Sequence, residues 1–118
     1  MAEKVSYHAR DLIEKGQDFV IAKVVETEDS TPRKKGAVLL MRQDGRTIGT
    51  VGGGLLEAET EKLCRETLKT KEKTHIYDFI LDNKQKDALD MGCGGDAKVQ
   101  IDYIDASEPG DFVKEFKL

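Results

Sequence analysis

Several residue types that build common functional sites are scarce in this chain. Its 118 residues include no tryptophan, two prolines, two histidines and two cysteines. Neither His8, in a charged amphipathic segment, nor His75, in a β-branched run, is placed as a catalytic base. No serine triad, histidine metal cluster or paired-carboxylate site can be assembled from the rest. Cys64 and Cys93 lack the CxxC spacing of zinc and redox motifs, so the most familiar metal and hydrolase sites are excluded.

Long apolar runs and a strong excess of one charge are also absent. No stretch approaches the ~18 apolar residues that a membrane-spanning helix needs, and residues 1–16 lack the apolar core of a secretory signal. The net charge of -4 argues against a dedicated nucleic-acid-binding protein. Two cysteines do not predict a disulfide framework here, since a reducing cytosol keeps thiols free. We therefore expect a cytoplasmic protein with no membrane or nucleic-acid partner.

The pattern of apolar residues predicts a single α+β domain over residues 1–118. Helical spacing indicates two main helices, and β-branched and aromatic runs indicate about five strands in a mixed sheet. The expected order is α-β-β-β-α-β-β, with a crossover helix that could place the fourth strand parallel to its predecessor. The expected helices cover 3–15 and the residues from 55 onward, and the expected strands cover 19–25, 37–41, 47–50, 74–81 and 97–103.

Six of the eleven glycines lie in two short runs, and the first run joins a strand to a helix. At 52–54, backbone amides and the helix dipole can bind an anion. Leu55 and Leu56 replace the lysine and hydroxyl residue of a P-loop, and Glu57 replaces the last glycine of a dinucleotide fingerprint. The alternative is that the glycines only allow a sharp turn. Glu57 either stabilises the helix dipole or belongs to a site.

The second glycine run, 92–95, surrounds Cys93. A thiolate with no bulky neighbour could act as a nucleophile, a soft metal ligand or a redox thiol. The alternative is a small buried residue in a tight loop, which is common for single cysteines. Cys64 lies on an apolar helical stripe, so the pattern predicts a structural role for it.

A cationic segment precedes the first glycine run. Arg33 follows a proline in the loop between the first two strands, and a guanidinium suits a phosphate. Lys34, Lys35, Arg42 and Arg46 extend the segment, so that five cations against one aspartate give it a charge of +4. Solvated lysines are the simpler interpretation of Lys34 and Lys35.

The strings DSTPRKKGAVLLMRQDGRTIGTVGGGLLEAE and MGCGGDAKVQIDYI together resemble the amino-terminal domain of the XdhC and CoxI family, over residues 20–104. The family's S-[ST]-P-R loop, glycine-rich junction and C-G-G loop correspond here to residues 30–33, 49–57 and 93–95. The resemblance implies an accessory factor, not an enzyme, that binds molybdenum cofactor as cargo, protects it during sulfuration and delivers it to a xanthine-dehydrogenase-like hydroxylase.

The resemblance also implies which residues bind the cargo. Cys93 would approach the molybdenum, and Arg33 with the glycine amides would bind the phosphate. The complete expected set is Ser30, Thr31, Arg33, Gly52, Gly53, Gly54, Glu57, Cys93, Gly94 and Gly95.

Many members of the family continue into a second, Rossmann-like domain, which we do not expect in this chain. A separate polypeptide or a second copy of this chain would then complete the site. The expected partners are a molybdenum hydroxylase apoenzyme and a cysteine desulfurase, together with such a Rossmann-domain chain or a homo-oligomeric copy. Two alternatives stay open: a small enzyme with Cys93 as nucleophile acting on a phosphorylated metabolite, and a docking scaffold that does not touch the cofactor.

Overall fold

The computed structural model describes residues 2–27, 36–79 and 97–115 of the chain. The helices are α1 (Ala2–Glu14), α2 (Gly54–Thr70) and α3 (Asp111–Glu115), and the strands are β1 (Phe19–Thr27), β2 (Val38–Arg42), β3 (Thr47–Gly49), β4 (Thr74–Phe79) and β5 (Ala97–Ile104). The expected order of elements is confirmed, with a short third helix added near the end.

The five strands form one sheet in the order β3-β2-β1-β5-β4. Every pairing between the described strands is antiparallel. The α+β class and the five-strand count are therefore confirmed, but the expected mixed sheet is wrong. Strand β4 runs in the same direction as β3, yet the two lie at opposite edges and do not pair. The crossover through α2 carries the chain from β3 at one edge to β4 at the other, where β4 pairs with β5.

Apolar residues cover both faces of the central strands. On one face α2 packs against Val20, Val24 and Ile101 through its buried residues Leu56 and Cys64. The other face is covered by α1 and α3, through the buried residues Val5, Ala9, Leu12 and Phe112, which pack on Phe19, Ile21 and Leu40. The sheet is thus the middle of three layers, as expected for strands that are apolar on both sides.

Helix α1 ends as its sequence predicts. Gly16 adopts φ +70, a conformation that costs glycine little. Its amide donates to the Ile13 carbonyl at 3.1 Å, and the Gln17 amide donates to the Leu12 carbonyl at 2.9 Å. This pair of bonds is the Schellman motif, and it turns the chain from α1 into β1.

The β2–β3 hairpin turns at Asp44–Gly45, a dipeptide typical of two-residue hairpin loops. The Arg42 amide donates to the Arg46 carbonyl at 2.8 Å, and Gly45 has φ +89. The turn lies at one end of the sheet, which leaves the far ends of β2 and β3 beside the glycine-rich junction. Within the described residues, no helix is long and apolar enough to cross a membrane.

Candidate functional site

The junction between β3 and α2 depends on consecutive glycines with positive φ. Gly49, Gly52, Gly53 and Gly54 have φ values of +86, +122, +81 and +64. A Cβ at Gly49 would lie 2.3 Å from the Val38 carbonyl oxygen, so both space and conformation demand glycine there. Since four positions within six residues require this conformation, the junction is a dedicated turn.

The first turn of α2 is open at Gly53. This residue occupies the N-cap position with φ 81 and ψ -170, and no side chain caps the helix. A Cβ built at Gly53 would meet no atom within 4 Å, so backbone conformation alone requires glycine here. The first helical hydrogen bond runs from the Glu57 amide to the Gly53 carbonyl at 3.4 Å. The amides of residues 54–56 therefore have no acceptor inside the helix, which is the arrangement that binds anions.

Glu57 and Thr50 hold the junction in shape. The Glu57 Oε1 atom accepts hydrogen bonds from the Thr50 hydroxyl and from the Val51 amide, the latter at 3.1 Å. The Thr50 Oγ1 atom in turn accepts the Gly52 amide at 3.0 Å. These three bonds, which we call the Thr50–Glu57 bridge, connect β3 to the first turn of α2. The sequence pattern selected Glu57 but missed Thr50, because only the path of the loop brings the two together.

The strand register shows which other segments begin beside this junction. Thr27 faces Ala97 across β1 and β5, and Phe79 faces Ala97 across β4 and β5. The Gly36 amide donates to the Val24 carbonyl at 2.7 Å. The segments 28–35 and 80–96 are therefore attached at the end of the sheet toward which β3 runs into Gly49. The expected site residues Ser30, Thr31, Arg33, Cys93, Gly94 and Gly95 fall in those segments, outside the described residues.

Two of the cations in the basic segment lie elsewhere. Arg42 and Arg46 flank the hairpin turn at the opposite end of β2 and β3, where they are 3.8 and 3.7 Å from the Asp44 carboxylate. These two arginines therefore lie away from the glycine-rich junction. Arg33 would have to bind a phosphate without them.

Cys64 is confirmed as a structural residue. It is fully buried on the α2 face of the sheet. Burial, followed by the charge of Glu61, raises the pKa of its thiol to about 12. A protonated buried thiol is neither a ready nucleophile nor a ready metal ligand. The part of the chain that the structure describes holds no group of three histidine, cysteine or acidic residues that could bind a metal ion.

The two described cavities lie at the other end of the sheet, away from the glycine-rich junction. Their volumes are about 600 and 720 Å³, and both are lined by Asp18, Lys71 and Tyr103. Asp18 accepts the Tyr103 hydroxyl at 2.6 Å and the Ala106 amide at 2.9 Å. Burial and this hydrogen bond raise the pKa of Tyr103 to about 12. These contacts fasten the end of β5 to the α1–β1 connection, which gives them a structural role.

Comparisons with known proteins identify the family of this chain. The model of the XdhC and CoxI family matches residues 12–79. The Escherichia coli (strain K12) protein named Uncharacterized protein YqeB is 34% identical over 95 residues, or 79% of this chain and 17% of that protein. A Bacillus subtilis (strain 168) protein named as a probable xanthine dehydrogenase subunit is 30% identical over 94 residues, or 79% of this chain and 28% of that protein.

A solved structure described as a xanthine dehydrogenase from Bacillus halodurans has the same fold. Its TM-score is 0.72 at 22% sequence identity, and the match covers 95% of this chain and 34% of that chain. This chain spans less than two thirds of the length of each of these three proteins. The family match covers the strands β1 to β4, the glycine-rich junction and α2, and the chain belongs to the XdhC and CoxI family.

Proposed function

We propose that this chain is an accessory factor in the maturation of a xanthine-dehydrogenase-like molybdenum hydroxylase. It binds molybdenum cofactor as cargo, protects it while its sulfido ligand is installed and delivers it to the apoenzyme, with no turnover of its own. Membership of the XdhC and CoxI family supports an accessory role. The name of the Bacillus subtilis relative points to the same enzyme class.

The observation that carries the proposal is the attachment of three segments at one end of the sheet. The glycine-rich junction, residues 28–35 and residues 80–96 all begin where β1, β3 and β4 end. Binding residues in many domains lie on loops held by a rigid scaffold, and this sheet is covered on both faces. The arrangement favours a single site over three unrelated loops.

Each part of the site suits a different part of the cargo. The cofactor's phosphate would be bound by Arg33 and by the amides of residues 54–56 in the first turn of α2. The Thr50–Glu57 bridge, which uses the Gly52 amide, would hold that turn in position. Cys93 would approach the molybdenum, because a thiolate is a soft ligand. Ser30, Thr31, Gly94 and Gly95 would line the remaining walls. Cys64 is unsuited to the metal role, since its thiol is buried with a raised pKa.

The partners follow from the cargo. A molybdenum hydroxylase apoenzyme would receive the cofactor, and a cysteine desulfurase would supply the sulfur. A separate Rossmann-domain chain or a second copy of this chain would cover the open side of the site. We place these events in the cytoplasm, where thiols stay reduced.

A reconstitution assay tests the delivery step. Purified chain loaded with cofactor is mixed with apo-hydroxylase under anaerobic conditions, and the recovered hydroxylase activity is measured. We expect Cys93→Ala and Arg33→Ala to lose most of the activation. Their matched controls, Cys64→Ala and Arg46→Ala, should retain it, since those residues lie in the core and at the far hairpin.

The same assay distinguishes the two alternative functions. A docking scaffold would activate the hydroxylase only when free cofactor is supplied separately, with Cys93→Ala as active as wild type. A cysteine-dependent enzyme would consume a phosphorylated metabolite and form a covalent adduct on Cys93, which intact-protein mass spectrometry detects. Either result would contradict the carrier role.

A further inference from the structure

The β4 edge of the sheet is long and carries an exposed apolar side chain. Strand β4 is outermost in the sheet and pairs with β5 alone among the described strands. Ile76, near its centre, is 50% exposed. The only other large apolar residue in the described part of the chain that is exposed to this extent is Tyr7 on α1, at 74%. Strand β3, at the opposite edge, has only three residues.

Strand β4 also lacks the features that usually prevent edge strands from pairing. An unpaired edge presents backbone donors and acceptors, and proteins protect it with proline, lysine, a bulge or a very short strand. The six residues of β4, THIYDF, contain no proline or lysine, and their register with β5 is continuous. Its one charged carboxylate, on Asp78, is already 3.6 Å from the Lys98 ammonium of β5. This edge is therefore suited to accept another strand.

We propose that two copies of the chain associate through β4, which pairs with itself in antiparallel fashion and joins the two sheets into one. The two copies are related by a two-fold axis perpendicular to the sheet, so each face of one sheet continues into the same face of the other. Side chains that face each other across antiparallel strands point to the same face, so the residues paired must be an even number apart. The two-fold axis can therefore pass beside a residue that faces its own copy, but not midway between two consecutive residues of β4.

The register centred on Ile76 pairs compatible side chains on both faces of the strand. Each Ile76 meets its copy, and the Thr74 hydroxyl faces the Asp78 carboxylate. On the other face His75, whose ring lies 4.3 Å from Tyr77 in its own strand, faces the Tyr77 ring of the copy. Centring on Tyr77 would place Ile76 against Asp78, and centring on Asp78 would oppose two carboxylates. In this register the strand is complementary to itself, which favours a second copy of the chain as its occupant.

This pairing is independent of what the glycine-rich junction binds, because β4 and the junction lie on different strands at opposite edges of the sheet. A contact made by one six-residue strand on each copy is small, so the association should depend on concentration. Sedimentation velocity over a protein concentration series measures it directly. We expect Ile76→Lys to raise the dimer dissociation constant by about tenfold or more, and the control Tyr7→Lys, at the other exposed apolar residue, to leave it unchanged.

Circular dichroism melting checks that both variants are folded. A wild-type chain that stays monomeric at millimolar concentration overturns the proposal, as does a dimer that Ile76→Lys leaves intact.

Disulfide cross-linking tests the register separately. For this experiment Ile76→Cys is introduced into a chain that also carries Cys64→Ala and Cys93→Ala. Residues on the axis would have Cα atoms about 4.5–5.5 Å apart, within disulfide range, so mild oxidation should cross-link the copies. Tyr7→Cys is the control, and equal cross-linking at both positions would contradict the two-fold pairing.

Discussion

The Thr50–Glu57 bridge makes a strong prediction about stability. Glu57→Ala removes the acceptor of both the Thr50 hydroxyl and the Val51 amide. Val51 is fully buried, so its amide would lose its partner without gaining water. A hydrogen bond to a charged group contributes about 1.5–3 kcal/mol, and a buried unsatisfied donor costs about 1–3 kcal/mol. Because the bridge is only partly buried, we expect the free energy of unfolding to fall by about 2–3 kcal/mol.

Urea unfolding followed by circular dichroism measures this change. Glu57→Gln keeps an acceptor oxygen in place, so this variant should lower the free energy of unfolding by about 1 kcal/mol or less. Glu59→Ala, an exposed carboxylate two residues further along α2, is the matched control and should change stability by less than about 0.5 kcal/mol. Amide hydrogen exchange at Val51 and Gly52 should accelerate in Glu57→Ala alone. The account of the junction is refuted if Glu57→Ala and Glu59→Ala have the same stability.

Three further predictions follow from the described contacts. With a thiol reagent at pH 8, native protein should not react at Cys64, whose pKa is about 12, until it unfolds; rapid labelling of Cys64 in folded protein would contradict its burial. Gly49→Ala should lower the free energy of unfolding by about 3 kcal/mol, because the new Cβ would lie 2.3 Å from a neighbouring carbonyl oxygen. The control Gly45→Ala, whose Cβ would meet no atom, should lower it by about 1 kcal/mol. Equal melting temperatures for the two variants would exclude the clash. The pKa of Tyr103 is raised from 10.0 to about 12, so the folded state favours the protonated phenol. The contribution of Tyr103 to stability is therefore complete below pH 10 and declines as the pH rises toward 12. Tyr103→Phe should flatten this alkaline decline in a plot of the urea midpoint against pH, and an unchanged slope would show that another group causes the decline.

The sequence predicted the helices and strands well because their apolar residues follow regular spacing. The stripe on α2 that includes Leu56 and Cys64 is buried, and so are Ala97, Val99 and Ile101, which alternate along β5. Helix α3 was missed because five residues are too short for a helical period to be recognised. In the structure its Phe112 packs against Phe19, with ring centroids 5.5 Å apart.

Sheet order and the loop contacts could not be derived in this way. The strand-helix crossover indicated that β4 could run parallel to β3, but it did not fix which strand β4 would join. Tyr103 and Asp18 are 85 residues apart, and no local pattern connects them. The Thr50–Glu57 bridge depends on the backbone path through consecutive positive φ values, which composition permits but does not specify. The binding roles of Arg33 and Cys93 rest on family resemblance and stay predictions.

The molybdenum and pterin content of the purified chain tests the central claim most directly. The protein is expressed in a host that makes molybdenum cofactor and is purified without oxygen. Molybdenum is then measured by mass spectrometry, and the pterin by fluorescence after oxidation. We predict that wild type and Cys64→Ala contain both in equal molar amounts, and that Cys93→Ala loses the metal. Wild-type protein that contains neither molybdenum nor pterin would contradict the account.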